Sequence, residues 1–286
     1  MIAASFEYFA PRTIKEALTL LSQHGDAKIL SGGHSLLPVI KLRLAEPKVV
    51  IDIGRIPGLS GIREEGGMIS IGALTTHYAI ESSGWLKEKC SLLGECASQI
   101  GDVQVRNRGT VGGSCVHADP AADYPAAMLA LDAVMVAEGP SGRREIAAEN
   151  FFIDMLTSAV GPQEILVEIR IPLLTGRTGF AYRKVKQSAS GFAICGVAVA
   201  LQTEGNNTCR RISVGVTGVA AKAYRAAVVE SMLLGKAIGE SVIRAASAHA
   251  ADHVETLGDI HASAEYRKHL AAIYCARAIQ AAYQRL

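Results

Sequence analysis

The sequence has no Gly-x-Gly-x-x-Gly stretch and no Gly-x-x-x-x-Gly-Lys-Ser/Thr stretch. The usual fingerprint of the doubly wound dinucleotide fold and the P-loop are therefore both absent. The six cysteines, Cys90, Cys96, Cys115, Cys195, Cys209 and Cys275, include no C-x-x-C pair. That excludes a conventional iron–sulfur or zinc ligand run within this chain. Nor is there a run of one charge sign: the formal net charge is +2, and no Lys/Arg cluster accumulates. This argues against nucleic acid as the main partner. Long apolar runs are missing as well. The longest, AICGVAVAL at 193–201, has the length of a strand, not of a membrane span. The opening MIAASFEYFAP lacks a basic segment followed by an apolar one, so no signal peptide is expected. Cysteines scattered without such a leader fit the reducing cytoplasm, where small buried thiols are ordinary.

What remains is a globular composition of 286 residues, with 49% apolar and 20% charged residues. A chain of this length suits two or three domains. TIKEALTLLSQHG carries a capping box, Thr13 with Glu16, and an apolar stripe at helical spacing. AKIL and KVVIDI read as strands, so residues 1–55 are expected to form one α/β unit. A second unit is expected over 56–174. It contains the strand GMISIGALTT, one long helix over WLKEKCSLLGECASQI, a hairpin around GPSG, and the half-buried strand EILVEIRIP ended by Pro172. From 175 to 286 come three strands, GFAYRKVKQ, FAICGVAVALQTE and CRRISVGVTGV, then Ala-rich helices from about 224. No internal repeat appears.

Two glycine-rich segments stand out, SGGHS at 31–35 and TVGGS at 110–114. Glycine permits a positive φ and removes the Cβ that would obstruct a ligand. Successive N–H groups in such a turn form an anion-binding nest. Ser31, Ser35, Thr110 and Ser114 add hydroxyls. Either segment alone reads equally well as a structural turn; two of them suit the two phosphates of a dinucleotide gripped from both sides.

SGGHSLLPVIKLRLAEPKVVIDI together with QVRNRGTVGGSCVHADPAADYPAAMLALDA resembles the FAD-binding medium subunit of the molybdenum hydroxylases, the family of xanthine dehydrogenase and carbon monoxide dehydrogenase. FAYRKVKQSASGFAICGVAVAL and AEYRKHLAAIYCARAI resemble its C-terminal domain. The resemblance implies an α+β fold. Two α+β subdomains, like those of vanillyl-alcohol oxidase, would bind FAD, and a C-terminal domain of antiparallel strands and helices would follow. It implies that Ser31, Gly32, Gly33, His34, Ser35 and Leu36, and Thr110, Val111, Gly112, Gly113 and Ser114, lie at the FAD diphosphate. Asp123 matches a position that hydrogen-bonds the cofactor, although it equally reads as the N-cap of the helix that follows. Leu166 matches an apolar position packed on the cofactor. Lys186 matches a cation near the flavin ring, where it would favour the reduced anion; it reads equally as a solvated strand residue. Phe192 stands where the carbon monoxide dehydrogenase branch often has Tyr, so that ring contact would lack a hydroxyl. His34, His77 and His117 flank these motifs without a catalytic pattern, and Arg106 and Arg108 are open to several roles.

The implied function is that of an electron-transfer subunit. A molybdenum cofactor on a large chain and two-iron iron–sulfur clusters on a small chain would feed FAD here, in a dimer of heterotrimers. The acceptor would be NAD, a quinone or oxygen. The alternatives are a self-contained FAD oxidoreductase of the same wider fold and a scaffold that has lost FAD. The branch with an iron–sulfur cluster inside the flavin subunit needs a Cys-rich insertion that this sequence lacks.

Overall fold

A computed structural model describes residues 2–286. The first unit holds β1 (Glu7–Phe9), α1 (Ile14–Gln23), β2 (Lys28–Leu30), α2 (Leu36–Lys41) and β3 (Val49–Asp52). Its strands form a parallel sheet in the order β1-β3-β2, with the buried Val49, Val50 and Ile51 in the central strand. Thr13 caps α1 through its hydroxyl, which accepts from the Glu16 N–H at 3.1 Å. Glu16 reaches back one residue further than the capping box expects, accepting from Arg12 N–H at 2.8 Å. β1 was not legible in the sequence; it is a short edge strand with an exposed Glu7–Tyr8 pair.

The second unit runs through β4 (Ile62–Glu65), β5 (Met68–Gly72), α3 (His77–Ser82), α4 (Gly84–Lys89), α5 (Ser91–Ser98), α6 (Val103–Arg108), α7 (Val111–His117) and α8 (Tyr124–Ala130). It continues with β6 (Val134–Gly139), β7 (Gly142–Ala147), α9 (Ala148–Phe151), β8 (Phe152–Asp154), β9 (Thr157–Ser158) and β10 (Ile165–Pro172). Its main sheet is antiparallel, in the order β4-β5-β10-β6-β7. Two expectations are corrected here. The single long helix over 85–100 is two helices broken at Cys90, whose φ of −156° and ψ of 78° are not helical. The break lets Leu86, Leu92 and Leu93 all enter the core. β10 is buried on both faces, not half-buried. It lies at the centre of the sheet, and a bulge between Leu166 and Glu168 shifts the alternation. Ile165 and Val167 pack on the first unit, while Leu166, Ile169 and Ile171 pack on the helical layer. Glu168 is the one acid on this strand within the core, and it is held by Ser70, Arg63 and Arg170.

The C-terminal part holds β11 (Gly179–Lys186), β12 (Ala193–Glu204), β13 (Thr208–Thr217), β14 (Tyr224–Arg225), α10 (Ala227–Leu233), α11 (Glu240–Ser247) and α12 (Ala264–Tyr283). The strands form one antiparallel sheet in chain order. Its two faces serve two cores. Tyr182, Ala198 and Ala200 pack with the helices of the second unit, and Ala181, Val197 and Val199 pack with α12. Burial on both faces is why 193–201 reads as unbroken apolar sequence.

Helix α8 lies so close to β13 that a Cβ on Gly215 would fall onto the Ala126 carbonyl. Gly215→Val should therefore lower stability by about 3 kcal/mol or more. Urea unfolding of the variant against the parent chain measures this, and an unchanged midpoint would show that α8 moves aside without cost.

Candidate functional site

A cleft of about 590 Å³ opens between the first unit, the second unit and the 190–192 loop. Strand β2 delivers the chain into it at Ser31, and α2 carries the chain out at Leu36. Gly33 has φ +79°, the left-handed region that glycine tolerates. None of the N–H groups of Gly32, Gly33, His34 and Ser35 donates to another group among the described residues. Four consecutive free donors on a loop that lines a cleft are what an anion requires.

The second glycine segment is built differently from the expected turn. Thr110–Ser114 is the first turn of α7, and its N–H groups are already used. Val111 donates to Thr75 O at 3.0 Å, Gly112 to Ala73 O at 2.9 Å, Gly113 to Thr110 Oγ1 at 3.1 Å and Ser114 to Thr110 O at 3.0 Å. Gly112 and Gly113 do not have positive φ. They are glycine for closeness. A Cβ on Gly112 would stand 2.6 Å from the Ala73 Cβ, and one on Gly113 2.7 Å from the hydroxyls of Ser31 and Thr110. A Cβ on Gly32 would collide with the Arg108 carbonyl. Ser31 Oγ and Thr110 Oγ1 lie 3.2 Å apart, so the two segments meet in one wall. Thr110, Gly112, Gly113 and Ser114 line the cleft; Val111 is buried behind it.

Asp123 lines the cleft from the start of α8, yet its side chain does not cap that helix. Its Oδ1 accepts from Tyr182 Oη at 2.5 Å and its Oδ2 from Lys184 Nζ at 2.9 Å, and the same ammonium forms an ion pair with Oδ1 at 2.7 Å. Burial pushes the Asp123 carboxyl up, while Lys184 and Tyr182 act to lower it. Leu166 is buried and lines the cleft at the bulge of β10. Lys186 is exposed at the end of β11 and is not among the residues that line the cleft. The register shifts between Val185 and Lys186, where the sheet gives way to the loop, and the inward lysine is Lys184. Sequence patterns did not single out Lys184 or Tyr182, because two lysines two residues apart on a strand look alike until one is seen to be paired. Phe192, 40% exposed, lies in the cleft lining.

Of the histidines, His34, His77 and His117 all line the cleft. His77 is buried and tilted against Tyr124, with centroids 5.4 Å apart, and its Nδ1 has no partner. Burial, with help from His34 and Arg106, pushes its imidazole down to about 4. Arg106 is committed to Glu81 at 2.7 Å and to the carbonyls of Ile100 and Gly101. Arg108 is exposed. All six cysteines are free and buried, and burial pushes Cys90 and Cys195 up to about 12. Among the described residues no cluster of His, Cys, Asp and Glu has the makings of a metal site, and no helix is long and apolar enough to cross a membrane.

Residues 4–174 match the family described as the FAD binding domain in molybdopterin dehydrogenase, and residues 180–282 match the CO dehydrogenase flavoprotein C-terminal domain. The chain belongs to the FAD subunits of the molybdenum hydroxylases. It is 43% identical to the carbon monoxide dehydrogenase medium chain of Hydrogenophaga pseudoflava over 286 residues, covering 100% of this chain and 99% of the relative. It is 35% identical to the 6-hydroxypseudooxynicotine dehydrogenase complex subunit alpha of Paenarthrobacter nicotinovorans, covering 92% of this chain and 89% of the relative. The solved carbon monoxide dehydrogenase of H. pseudoflava that lacks the Mo-pyranopterin moiety superposes with a TM-score of 0.97, at 44% identity, over 100% of this chain and 99% of that one. The flavin subunit is thus α+β throughout, and its cofactor is FAD. The cleft suits that cofactor: free N–H donors for a diphosphate, hydroxyls beside them, and apolar Leu74, Ile165 and Leu166 for a ring.

Gly32→Ala should push the two segments apart and weaken FAD binding by about tenfold or more. Flavin fluorescence during titration of the apo-subunit measures this; a folded variant with unchanged affinity would mean that the close approach is dispensable. His77 yields a second expectation. Between pH 6.5 and about 4 the unfolded chain takes up a proton that the folded chain refuses, so acid favours unfolding over that window. The unfolding midpoint should fall as pH drops through it, and His77→Leu should flatten that fall.

Proposed function

We propose that the flavin subunit is the electron-transfer member of a heterotrimeric hydroxylase. FAD held here would take electrons from two-iron iron–sulfur clusters on a small chain and deliver them to an external acceptor: NAD, a quinone or oxygen. Substrate would be oxidised at a molybdenum cofactor on a large chain, in a dimer of such trimers, in the cytoplasm. The protein's part is to bind, orient and shield the flavin. On this reading the free N–H groups of Gly32–Ser35, with Leu36 starting the helix beyond, receive the diphosphate. Thr110, Gly112, Gly113 and Ser114, backed by Val111, form the opposing wall. Leu166 packs on the ring, and Asp123 accepts a hydrogen bond from the cofactor.

The observation that carries this reading is the match along the full length, C-terminal domain included, to chains named as medium or alpha subunits of larger enzymes. Those enzymes are named for two unlike compounds, carbon monoxide and 6-hydroxypseudooxynicotine. One flavin scaffold accompanying such different substrates supports substrate choice on another chain. The reading divides the chain at about residues 55 and 174, with flavin bound by the first two parts.

The purified chain should bind FAD non-covalently, so that acid precipitation leaves the flavin in the supernatant. Mixed anaerobically with carbon monoxide, aldehydes or N-heterocycles, the lone holo-subunit should keep its oxidised flavin spectrum. Bleaching by one of these without another chain would overturn the subunit reading and favour a self-contained oxidoreductase.

A further inference from the structure

Asp123 sits where three elements meet. It ends the loop before α8 and lines the FAD cleft. Behind it stands Lys184 of β11, whose side chain is fully buried. The ammonium bonds Asp123 and the Gln99 carbonyl, at 2.9 Å, just beyond α5. Tyr182, two residues earlier on the same strand, adds its hydroxyl. A carboxylate oxygen accepts about two hydrogen bonds. Oδ1 accepts from Tyr182 and Oδ2 from Lys184, so each oxygen has one donor. Each oxygen keeps an acceptor position, on a buried carboxylate at the wall of the cleft.

Both positions are acceptors only while the carboxyl is ionised. A carboxyl buried without a cation keeps its proton, because desolvation disfavours the charge. We propose that Lys184 is a positioning residue for the cofactor: from behind the wall it holds Asp123 ionised, so that the cleft presents an acceptor to an N–H of bound FAD. The inference deepens the reading of this chain as an FAD subunit and rests on it. The other ionisable neighbours do not substitute for Lys184. Cys96 on α5 and Tyr124 on α8 are neutral groups whose own ionisation the Asp123 charge opposes. Glu95 of α5 is turned to Arg285 and Arg183, and accepts from the Tyr182 N–H. The cleft histidines His34, His77 and His117 make no hydrogen bond to Asp123 among the described residues. Lys184 also lines a second cavity, of about 1040 Å³, between β11, α11 and α12, where Arg183, Arg244 and Arg277 add only positive charge and Glu240 the one acid.

The test is FAD affinity of the full chain against pH, read by flavin fluorescence from pH 6 to 9. The parent should show a flat profile. Lys184→Met should bind about tenfold or more weakly at pH 6, the worth of one hydrogen bond to a charged group, and recover as pH rises and Asp123 loses its proton. Lys184→Met/Asp123→Asn should be flat again and weak throughout. A Lys184→Met profile that matches the parent overturns the proposal, as does a slope that survives in the double variant. If Lys184→Met does not fold, the parent apo-subunit labelled with ¹³C-aspartate decides. The Asp123 carboxyl signal, assigned by its loss in Asp123→Asn, should be that of a carboxylate at pH 6, and a protonated signal there overturns the proposal. This arm needs no flavin. Failure of the parent to bind FAD would instead count against the cofactor reading and leave the Lys184–Asp123 pairing to the carboxyl signal.

Discussion

Everything at the site depends on how closely the Ser31–Ser35 loop approaches the Arg108–Ser114 segment. The first belongs to a parallel sheet and the second to the helical layer over an antiparallel one. Gly32 meets the Arg108 carbonyl with no room for a Cβ, and Ser31 touches Thr110 through their hydroxyls. Close packing of this kind tolerates no added methyl without movement of backbone. The contact makes two units into one wall, and the N–H groups of the first loop, which lines the cleft, stay unpaired. The same economy explains why the donors are unevenly shared. α7 spends its N–H groups on Ala73, Thr75 and Thr110 to fix its own position, and the loop before α2 keeps its donors free.

A second constraint is electrostatic. The carboxyl of Asp123 is buried, and a buried charge persists only when paired and hydrogen-bonded. Both partners, Tyr182 and Lys184, come from the C-terminal sheet, so the domain that follows the flavin-binding region supplies the chemistry of its back wall. His77 shows the opposite solution. It has no acid beside it, is held neutral by burial, and leaves its Nδ1 unpaired.

Much of the fold could be read from the chain. The hairpins at GPSG and GNN turn where the glycines allow it, and the long strands of the C-terminal sheet match their apolar runs. The family and its cofactor were legible because SGGHS and TVGGS occur together, in that order, on a chain that resembles the subunit along its length. Other features were not legible, for physical reasons. The break at Cys90 is set by which leucines reach the core, which no local propensity encodes. β10 reads as half-buried because Glu168 and Arg170 interrupt its apolar pattern, and only the ion-pair network shows how the glutamate is accommodated. The glycines of TVGGS suggested a positive φ, whereas the structure uses them as small residues in a helix. Of the two lysines on β11, Lys184 is buried against Asp123 and Lys186 is exposed. Lys184 and Lys186 differ only in what stands opposite them, and that partner lies some sixty residues away in sequence.

The two faces of the C-terminal sheet carry a consequence for how such subunits can be divided. Tyr182, Ala198 and Ala200 complete the core beneath α8, while their strand neighbours build the core beneath α12. The seam between the two matched families, at residues 174–180, is therefore not a seam in the packing. A recombinant that exchanges the tail for that of a distant relative must carry over the face that meets α8 and the Tyr182–Lys184 pair with it. In that respect the modular unit for protein engineering is the whole chain.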